Sequence, residues 1–245
     1  MSNRRFVAHI DILGMANLIK SDAESAWKLL TTLADCRDDV LEYEITFIDT
    51  AERAVLAERV KCLTFSDTIL LYTLSDKLVD LRSIVWMTAQ ILNLSLSGCV
   101  PIRAGISLGV FFVNEERSMY AGPALVDAYT IGENAQWLGI VVSPEVYYFP
   151  RASEWKSGVS DIFVRYGIPT KGAVVDGFAV NWPAVYAKSY VGEIPVQADA
   201  IYSGFVDSFG PYEKLDNAVK LKYENTATFM TQMLQMPKLD PSGEP

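Results

Sequence analysis

The sequence predicts an α+β fold: a ferredoxin-like βαββαβ core, or palm, with extra strands and a C-terminal helix. Three observations predict it. Residues 6–10 form an apolar run interrupted only by His9, the length of a buried central strand. Two apolar runs flank Ser66 and Asp67, which is hairpin-like. Helix-period stripes separate the strand runs in the order β-α-(β)-β-β-α-β-β-α-β, which that core accounts for economically.

The elements follow in order. Residues 15–20 begin a helix after Gly14. Asp22 caps a second one, in which Ala26, Leu29, Leu30, Leu33 and Val40 form a stripe. Residues 45–48 are strand-like, and residues 49–59 are a charged connection or short helix. The hairpin spans residues 60–73. Residues 77–97 are a strongly apolar helix, expected to pack on the sheet. Residues 101–113 read as one long strand whose only charge is Arg103. Residues 118–122 are a short strand or turn, and Pro123 suits the first turn of a helix running to about residue 138. Residues 139–143 are another strand. Residues 162–166 and 173–180 form a further pair, joined by a turn that carries Lys171. From Pro211 onward a separate helix carries Leu215, Val219, Tyr223, Ala227, Met230 and Leu234 at spacings of three and four. This stripe can pack on the core or on a second copy. Residues 236–245 read as a frayed tail. The expected division is a domain over residues 1–185 and a C-terminal extension over residues 186–245.

Half of the 245 residues are hydrophobic, enough for one large domain or one domain with a subdomain. A net charge of −9 argues against nonspecific binding to nucleic acid or to an anionic membrane. Cys36, Cys62 and Cys99 are odd in number and widely spaced, which fits reduced thiols in a cytoplasmic protein. His9 is the only histidine and lies inside the first strand, so it reads as a core or supporting residue. No long apolar region follows Arg4 and Arg5, so no signal peptide is expected. Residues 83–102 carry no charge but include Thr88, Gln90, Asn93, Ser95, Ser97, Gly98 and Pro101. A buried helix running into a strand fits them better than a membrane span.

Asp11 ends the first strand. Taken alone it reads equally as a helix N-cap or buried hydrogen-bonded carboxylate and as a ligand. Asp67 tips the balance, because a hairpin lying beside the first strand brings its tip near Asp11. Two carboxylates held together without a cationic neighbour suit a hard divalent cation, magnesium or manganese, with room left for phosphate oxygens. Their repulsion would otherwise raise one pKa. Leu13 and Gly14 would let the backbone pass close to a phosphate. Arg103, near the start of a central strand, calls for a carboxylate or phosphate partner. Lys171 reads equally as a solvated loop residue and as a phosphate ligand.

These pieces, in this order, resemble the catalytic domain of class III nucleotide cyclases over roughly residues 5–180. The resemblance rests on His-Ile-Asp11-Ile-Leu-Gly14, Phe-Ser-Asp67-Thr, Ile-Arg103-Ala-Gly-Ile-Ser-Leu-Gly109, and Gly122-Pro-Ala-Leu-Val-Asp-Ala-Tyr129 leading to Ile-Val-Val-Ser143. Within the class the chain is most similar to the stand-alone bacterial pyrimidine cyclases of Pycsar anti-phage defence. The Val-Asp127-Ala-Tyr helix and the closing Pro-Thr-Lys171-Gly and Ala-Val-Asn-Trp182 segments carry that similarity. The resemblance implies a head-to-tail homodimer with active sites at the interface. It implies two Mg2+ or Mn2+ ions per site on Asp11, Asp67 and the Ile12 carbonyl. Leu13, Gly14, Lys61, Asp127 and Lys171 would lie around the nucleoside triphosphate, and Arg103 or Lys171 would supply the transition-state cation. The ribose 3′-oxygen would attack the α-phosphate and release pyrophosphate. The cyclic product would act on a separate effector protein.

The chain also departs from the class. Ser66 replaces the usual hairpin glycine. Leu63 stands where adenylyl cyclases read the base with a lysine, and Lys61 lies two residues further away. Asp127 and Ile131 stand where those enzymes carry an Asn and an Arg. A different base edge needs different polar partners, which fits UTP or CTP, with UTP preferred. The alternative is a degenerate domain that senses nucleotide without turnover; retention of both carboxylates speaks against it. Diguanylate cyclases and polymerases share the palm, but the chain has no Gly-Gly-Asp-Glu-Phe signature, and a polymerase would want a basic groove.

Overall fold

A computed structural model describes residues 3–42, 59–150, 162–189 and 194–236. The first strand, β1 (Arg4–Ile12), turns at Gly14 into α1 (Met15–Ser21) and α2 (Ala23–Glu42). The hairpin of β2 (Val60–Phe65) and β3 (Thr68–Thr73) leads to α3 (Leu78–Ser97) and β4 (Ile102–Val110). A ribbon of β5 (Phe112–Asn114) and β6 (Met119–Ala121) precedes α4 (Pro123–Asn134) and β7 (Ile140–Val142). The short α5 (Pro144–Tyr147) comes before β8 (Phe163–Pro169) and β9 (Val174–Val180). The chain closes with α6 (Trp182–Ser189), α7 (Ala198–Tyr202), α8 (Val206–Phe209) and α9 (Asn217–Gln235).

Among the described residues, seven strands form one sheet in the order β2-β3-β1-β4-β7-β9-β8. The β2-β3-β1-β4 part is antiparallel throughout, the order a ferredoxin-like core requires. β7 adds parallel to β4, and the β8–β9 hairpin extends the sheet antiparallel to β7. The expected α+β palm with extra strands is therefore the observed fold.

Alternation divides β1 between two environments. Phe6, Ala8, Ile10 and Ile12 are sealed in the main core, with α3 packed on the strand. Val7, His9 and Asp11 face the other way, toward α4. α3 buries residues all round its circumference, including Leu81, Ile84, Val85, Met87, Ile91 and Leu92, as an apolar helix within a core does. Among the described residues, no helix is long and apolar enough to cross a membrane.

Two expected elements end early. The long strand over residues 101–113 stops at Val110, and residues 112–114 leave the main sheet to pair with residues 119–121. Phe111 causes the break: it is fully buried in a second core with Val7, Tyr72, Ala124 and Ala128, and its N–H donates to the Asn3 carbonyl. The helix expected to reach residue 138 stops at Asn134, because Ala135 is extended. The Gln136 N–H turns instead to the Pro169 carbonyl at 2.8 Å, and Trp137 and Leu138 enter the core. Burial of one large aromatic outweighs local propensity at both breaks, strand at Phe111 and helix at Ala135. The strand expected at residues 45–48, most of the connection after it, and residues 237–245 of the tail lie outside the described residues.

α9 packs back on the core. Tyr223, Ala227 and Met230 of its stripe are buried, and Leu215 and Val219 are partly so. Phe229 meets Trp137 at 4.7 Å and Tyr166 at 4.8 Å between ring centroids. The Leu138 N–H donates to Thr226 Oγ1 at 2.8 Å, and Asn225 Nδ2 donates to the Gln136 carbonyl at 2.8 Å.

Candidate functional site

Sheet register builds the site. Asp11 sits opposite Thr68 on β3 and opposite Arg103 on β4, and cross-strand partners project from the same face. The β2–β3 loop has two residues, Ser66 and Asp67, so Asp67 is adjacent to the partner of Asp11. Ser66 takes a positive φ of 55°, as the first residue of such a loop must in the tight hairpin forms. For a serine this costs about 1–2 kcal/mol that glycine would avoid. The structure thus brings Asp11 and Asp67 together, and the charge of Asp67 acts to raise the pKa of Asp11.

The expectation that no cation neighbours the pair is corrected. Arg103 Nη2 lies 3.1 Å from Asp11 Oδ2, because the two residues are register partners. The same nitrogen also pairs with the Glu133 carboxylate. Arg103 Nη1 donates to the carbonyls of Glu133 at 2.8 Å and Ala135 at 3.3 Å, closing the C-terminal end of α4, where a cation is favoured. Lys171 Nζ donates to Glu133 Oε1 at 3.0 Å. Arg103 is nearly fully buried, and its Nε has no hydrogen-bond partner among the described residues. The expected carboxylate partners of Arg103 are therefore Asp11 and Glu133.

Two glycines let α4 come this close. A Cβ on Gly105 of β4 would stand 2.1 Å from the Ala128 carbonyl oxygen, and one on Gly132 would stand 2.8 Å from the Gly105 nitrogen. The helix therefore packs backbone to backbone on β4, and Glu133 follows directly.

The charges answer to this packing. Burial raises the pKa of the Asp11 carboxyl most strongly, and Arg103 opposes it by charge and hydrogen bond; the result is above the ordinary range. For Glu133 burial also works upward, but the Lys171 hydrogen bond and Arg103 outweigh it, so that carboxyl is held low. His9 is pushed down by burial first and then by the Arg103 charge. Its ring meets Tyr129 edge-on at 5.1 Å, a supporting position beside Asp11. Lys222 on α9 feels the fields of Arg103, Glu133, Lys171 and Asp11, and burial is the largest cause of its lowered pKa.

Other expected residues are placed differently. The Leu13 N–H donates to the Pro101 carbonyl at 2.8 Å, so its amide is not available to a phosphate. Gly14 is left-handed, with φ 80°, and caps α1. The space beside it belongs to the Phe209 ring, 3.2 Å from where a Cβ would be, so its need for glycine is conformational. The Ile12 side chain is buried in the core, and only its backbone could serve as a ligand. Lys61 is exposed on β2, opposite Tyr72 and in line with Val7, about 13 Å along the strands from Asp11. Asp127 is exposed on α4, about 9 Å along the helix from Glu133. The structure brings neither to the carboxylate pair.

Sequence reasoning missed Glu133 and Lys222. Glu133 was discoverable as an acid at the end of the helix before β7, within reach of a buried strand arginine. Lys222 carried no signal, since a polar residue beside a helical stripe reads as solvent-facing.

A divalent ion fits the chemistry of the donors present. The Asp11 Oδ1 and Asp67 carboxylate oxygens make no hydrogen bond or ion pair among the described residues. No group of three or more His, Cys, Asp or Glu able to hold a metal occurs among those residues. Any ion here would therefore be held by two carboxylates together with backbone, water or substrate oxygens, a set that magnesium and manganese accept.

No protein-family model matches the chain, and no curated protein is significantly similar to it. Solved structures do match. One is the catalytic core of a rhodopsin-guanylyl cyclase with converted specificity, in complex with ATPαS. It has a TM-score of 0.50 and 16% identity, covering 72% of this chain and 94% of that one. Another is the adenylate/guanylate cyclase/hydrolase from Silicibacter pomeroyi, with a TM-score of 0.44 and 15% identity, covering 72% and 95%.

Proposed function

We propose that the chain is a metal-dependent nucleotide cyclase that converts a pyrimidine nucleoside triphosphate, UTP or CTP, to cUMP or cCMP and pyrophosphate. The observation that carries this reading is the convergence of Asp11, Asp67, Arg103 and Lys171 at one end of β1, in a fold like that of a cyclase catalytic core. Two magnesium or manganese ions on Asp11, Asp67 and the Ile12 carbonyl would neutralise the triphosphate and acidify the ribose 3′-hydroxyl.

The chain's own groups do the positioning. Arg103 and Lys171 are both compensated by Glu133 in the absence of substrate, and phosphate oxygens replace that carboxylate on them. Charge then builds on the departing pyrophosphate oxygens next to fixed cations, where preorganised electrostatics count most. The ribose 3′-oxygen bonds to the α-phosphorus, and the bond from that phosphorus to the pyrophosphate oxygen breaks. By the resemblance, Leu63 stands where adenylyl cyclases carry a base-reading lysine and offers no such donor, which supports a pyrimidine.

A second copy, packed head to tail, would complete the site. Phe65 is 84% exposed and stands beside Asp67, and Val126 and Tyr129 are exposed on α4, an apolar rim that supports a partner there. Residues 1–185 would be the catalytic unit and residues 186–245 an extension packed on it. In a cytoplasmic defence setting the product would act on a separate effector.

The test is direct. The purified protein is incubated with each of the four nucleoside triphosphates and manganese, and the products are read by mass spectrometry. A cyclic pyrimidine monophosphate is expected. Cyclic product from a purine alone removes the pyrimidine assignment, and no cyclic product from any of the four removes the cyclase.

One observation favours a second reading, a nucleotide sensor without turnover: Arg103 already holds one oxygen of Asp11. Nucleotide that raises the melting temperature while remaining intact would select it.

A further inference from the structure

Past the end of β1, between α1 and the C-terminal helices, lies a cavity of about 260 Å³. Leu13, Gly14 and Asn17 line one side, and Ser208, Phe209 and Lys222 the other. Whole small-molecule sites start near about 300 Å³, so this space is too small for a nucleotide but suits part of one.

Lys222 is held in place. One turn further along α9, Thr226 accepts the Leu138 N–H and also donates to the Lys222 carbonyl at 2.7 Å. Asn225 holds the Gln136 carbonyl from the same turn. The lysine is thus tied to the segment that follows Glu133, and its charge is felt in common with Asp11, Arg103, Glu133 and Lys171.

The cations of this cluster differ in one respect. Arg103 and Lys171 are both engaged by Glu133, whereas Lys222 makes no ion pair among the described residues. A new anion reaches Arg103 or Lys171 only by displacing a carboxylate; at Lys222 it displaces none. A half-buried ammonium that no carboxylate contacts directly among the described residues is also an unfavourable resting state, which an anion relieves.

We infer that Lys222 is a phosphate-binding residue, and that the cavity between α1 and α9 receives the terminal phosphates of the nucleoside triphosphate. This rests on the cyclase reading for the identity of the ligand. It gives the C-terminal extension a part in the site: α9 brings a cation that α4 lacks at Ile131.

The probe is inorganic tripolyphosphate with manganese, titrated calorimetrically into the full-length wild type, Lys222→Gln and Lys222→Arg. Thermal unfolding without ligand checks that each variant folds. Loss of one charged contact is expected to weaken binding about tenfold or more in Lys222→Gln, while Lys222→Arg keeps most of the affinity. With triphosphate substrate, Lys222→Gln should raise KM more than it lowers kcat. Equal tripolyphosphate affinity in Lys222→Gln and wild type overturns the inference, and so does a wild type that binds none. If Lys222→Gln does not fold, Lys222→Met takes its place and is read in the same way: unchanged tripolyphosphate affinity at a normal melting temperature overturns the inference. Lys222-dependent tripolyphosphate binding without cyclic product would sink the cyclase and leave this site standing. Cyclisation with unchanged binding in Lys222→Gln would do the reverse.

Discussion

Along β1, Phe6, Ala8, Ile10 and Ile12 enter a sealed apolar core, while on the other face Val7 is sealed beneath α4 and His9 and Asp11, toward the strand's end, are covered only in part. The same backbone thus carries a stability face and a chemistry face. The first is closed by apolar area. The second is shaped by a close approach, Gly105 against Gly132, which leaves the end of the strand open and rimmed with charge. Burial there is enough to shift Asp11, His9 and Lys222 but not enough to exclude a ligand.

The sharpest test of this division compares its two sides. Asp67→Asn should lower turnover by about a thousandfold or more, roughly 4 kcal/mol of barrier, while urea unfolding stays near wild type. Turnover within tenfold of wild type would remove Asp67 from the site. Ile10→Ala should do the opposite. It should cost about 2–5 kcal/mol of stability through the cavity left in the core, with kcat preserved in the fraction that remains folded. A loss below about 1 kcal/mol would mean that the inner face is not close-packed.

Gly105→Ala tests how the outer face is made. The added methyl cannot coexist with the Ala128 carbonyl, so α4 must move. The expected cost is about 1–3 kcal/mol, with nucleotide affinity falling as well because Glu133 and the Arg103 fork move with the helix. A stability loss without any change in affinity would separate α4 from the site.

The smallest effect is a pH dependence. Glu133 is held below its ordinary value of 4.5, so its contribution is present above that pH and is lost as pH falls through the lowered value. Asp11, raised above 3.8, has the opposite sign: its contribution is present at low pH and lost as pH rises through the raised value. Melting temperatures of wild type and Glu133→Gln, followed downward from pH 4.5, should therefore converge. Parallel curves would show that Glu133 is not ion-paired in solution.

Much of this was legible beforehand. The apolar run of β1, the two-residue loop at Ser66 and Asp67, and the helical stripe of α9 each declare themselves within a short window. So did the need of Arg103 for a partner, as the lone charge on an apolar strand. The breaks at Phe111 and Ala135 were not legible, since both follow from an aromatic finding a distant pocket. Nor was the role of Gly14, which is a left-handed turn into α1 with the Phe209 ring filling the space beside it.

The sequence alone determined the palm, its order of strands and helices, and the two-residue hairpin loop that carries Asp67, because hydrophobic period and hairpin length act over a few residues. Tertiary pairing of β1 with β3 sets Thr68 opposite Asp11 and so brings Asp67 to it. Tertiary structure decided which cations join them. Arg103 reaches Asp11 through strand pairing, Glu133 arrives because two glycines let a helix touch the sheet, and Lys222 is delivered by a helix anchored on Trp137 and Leu138. Those contacts join segments far apart in the chain, where no local pattern carries the information.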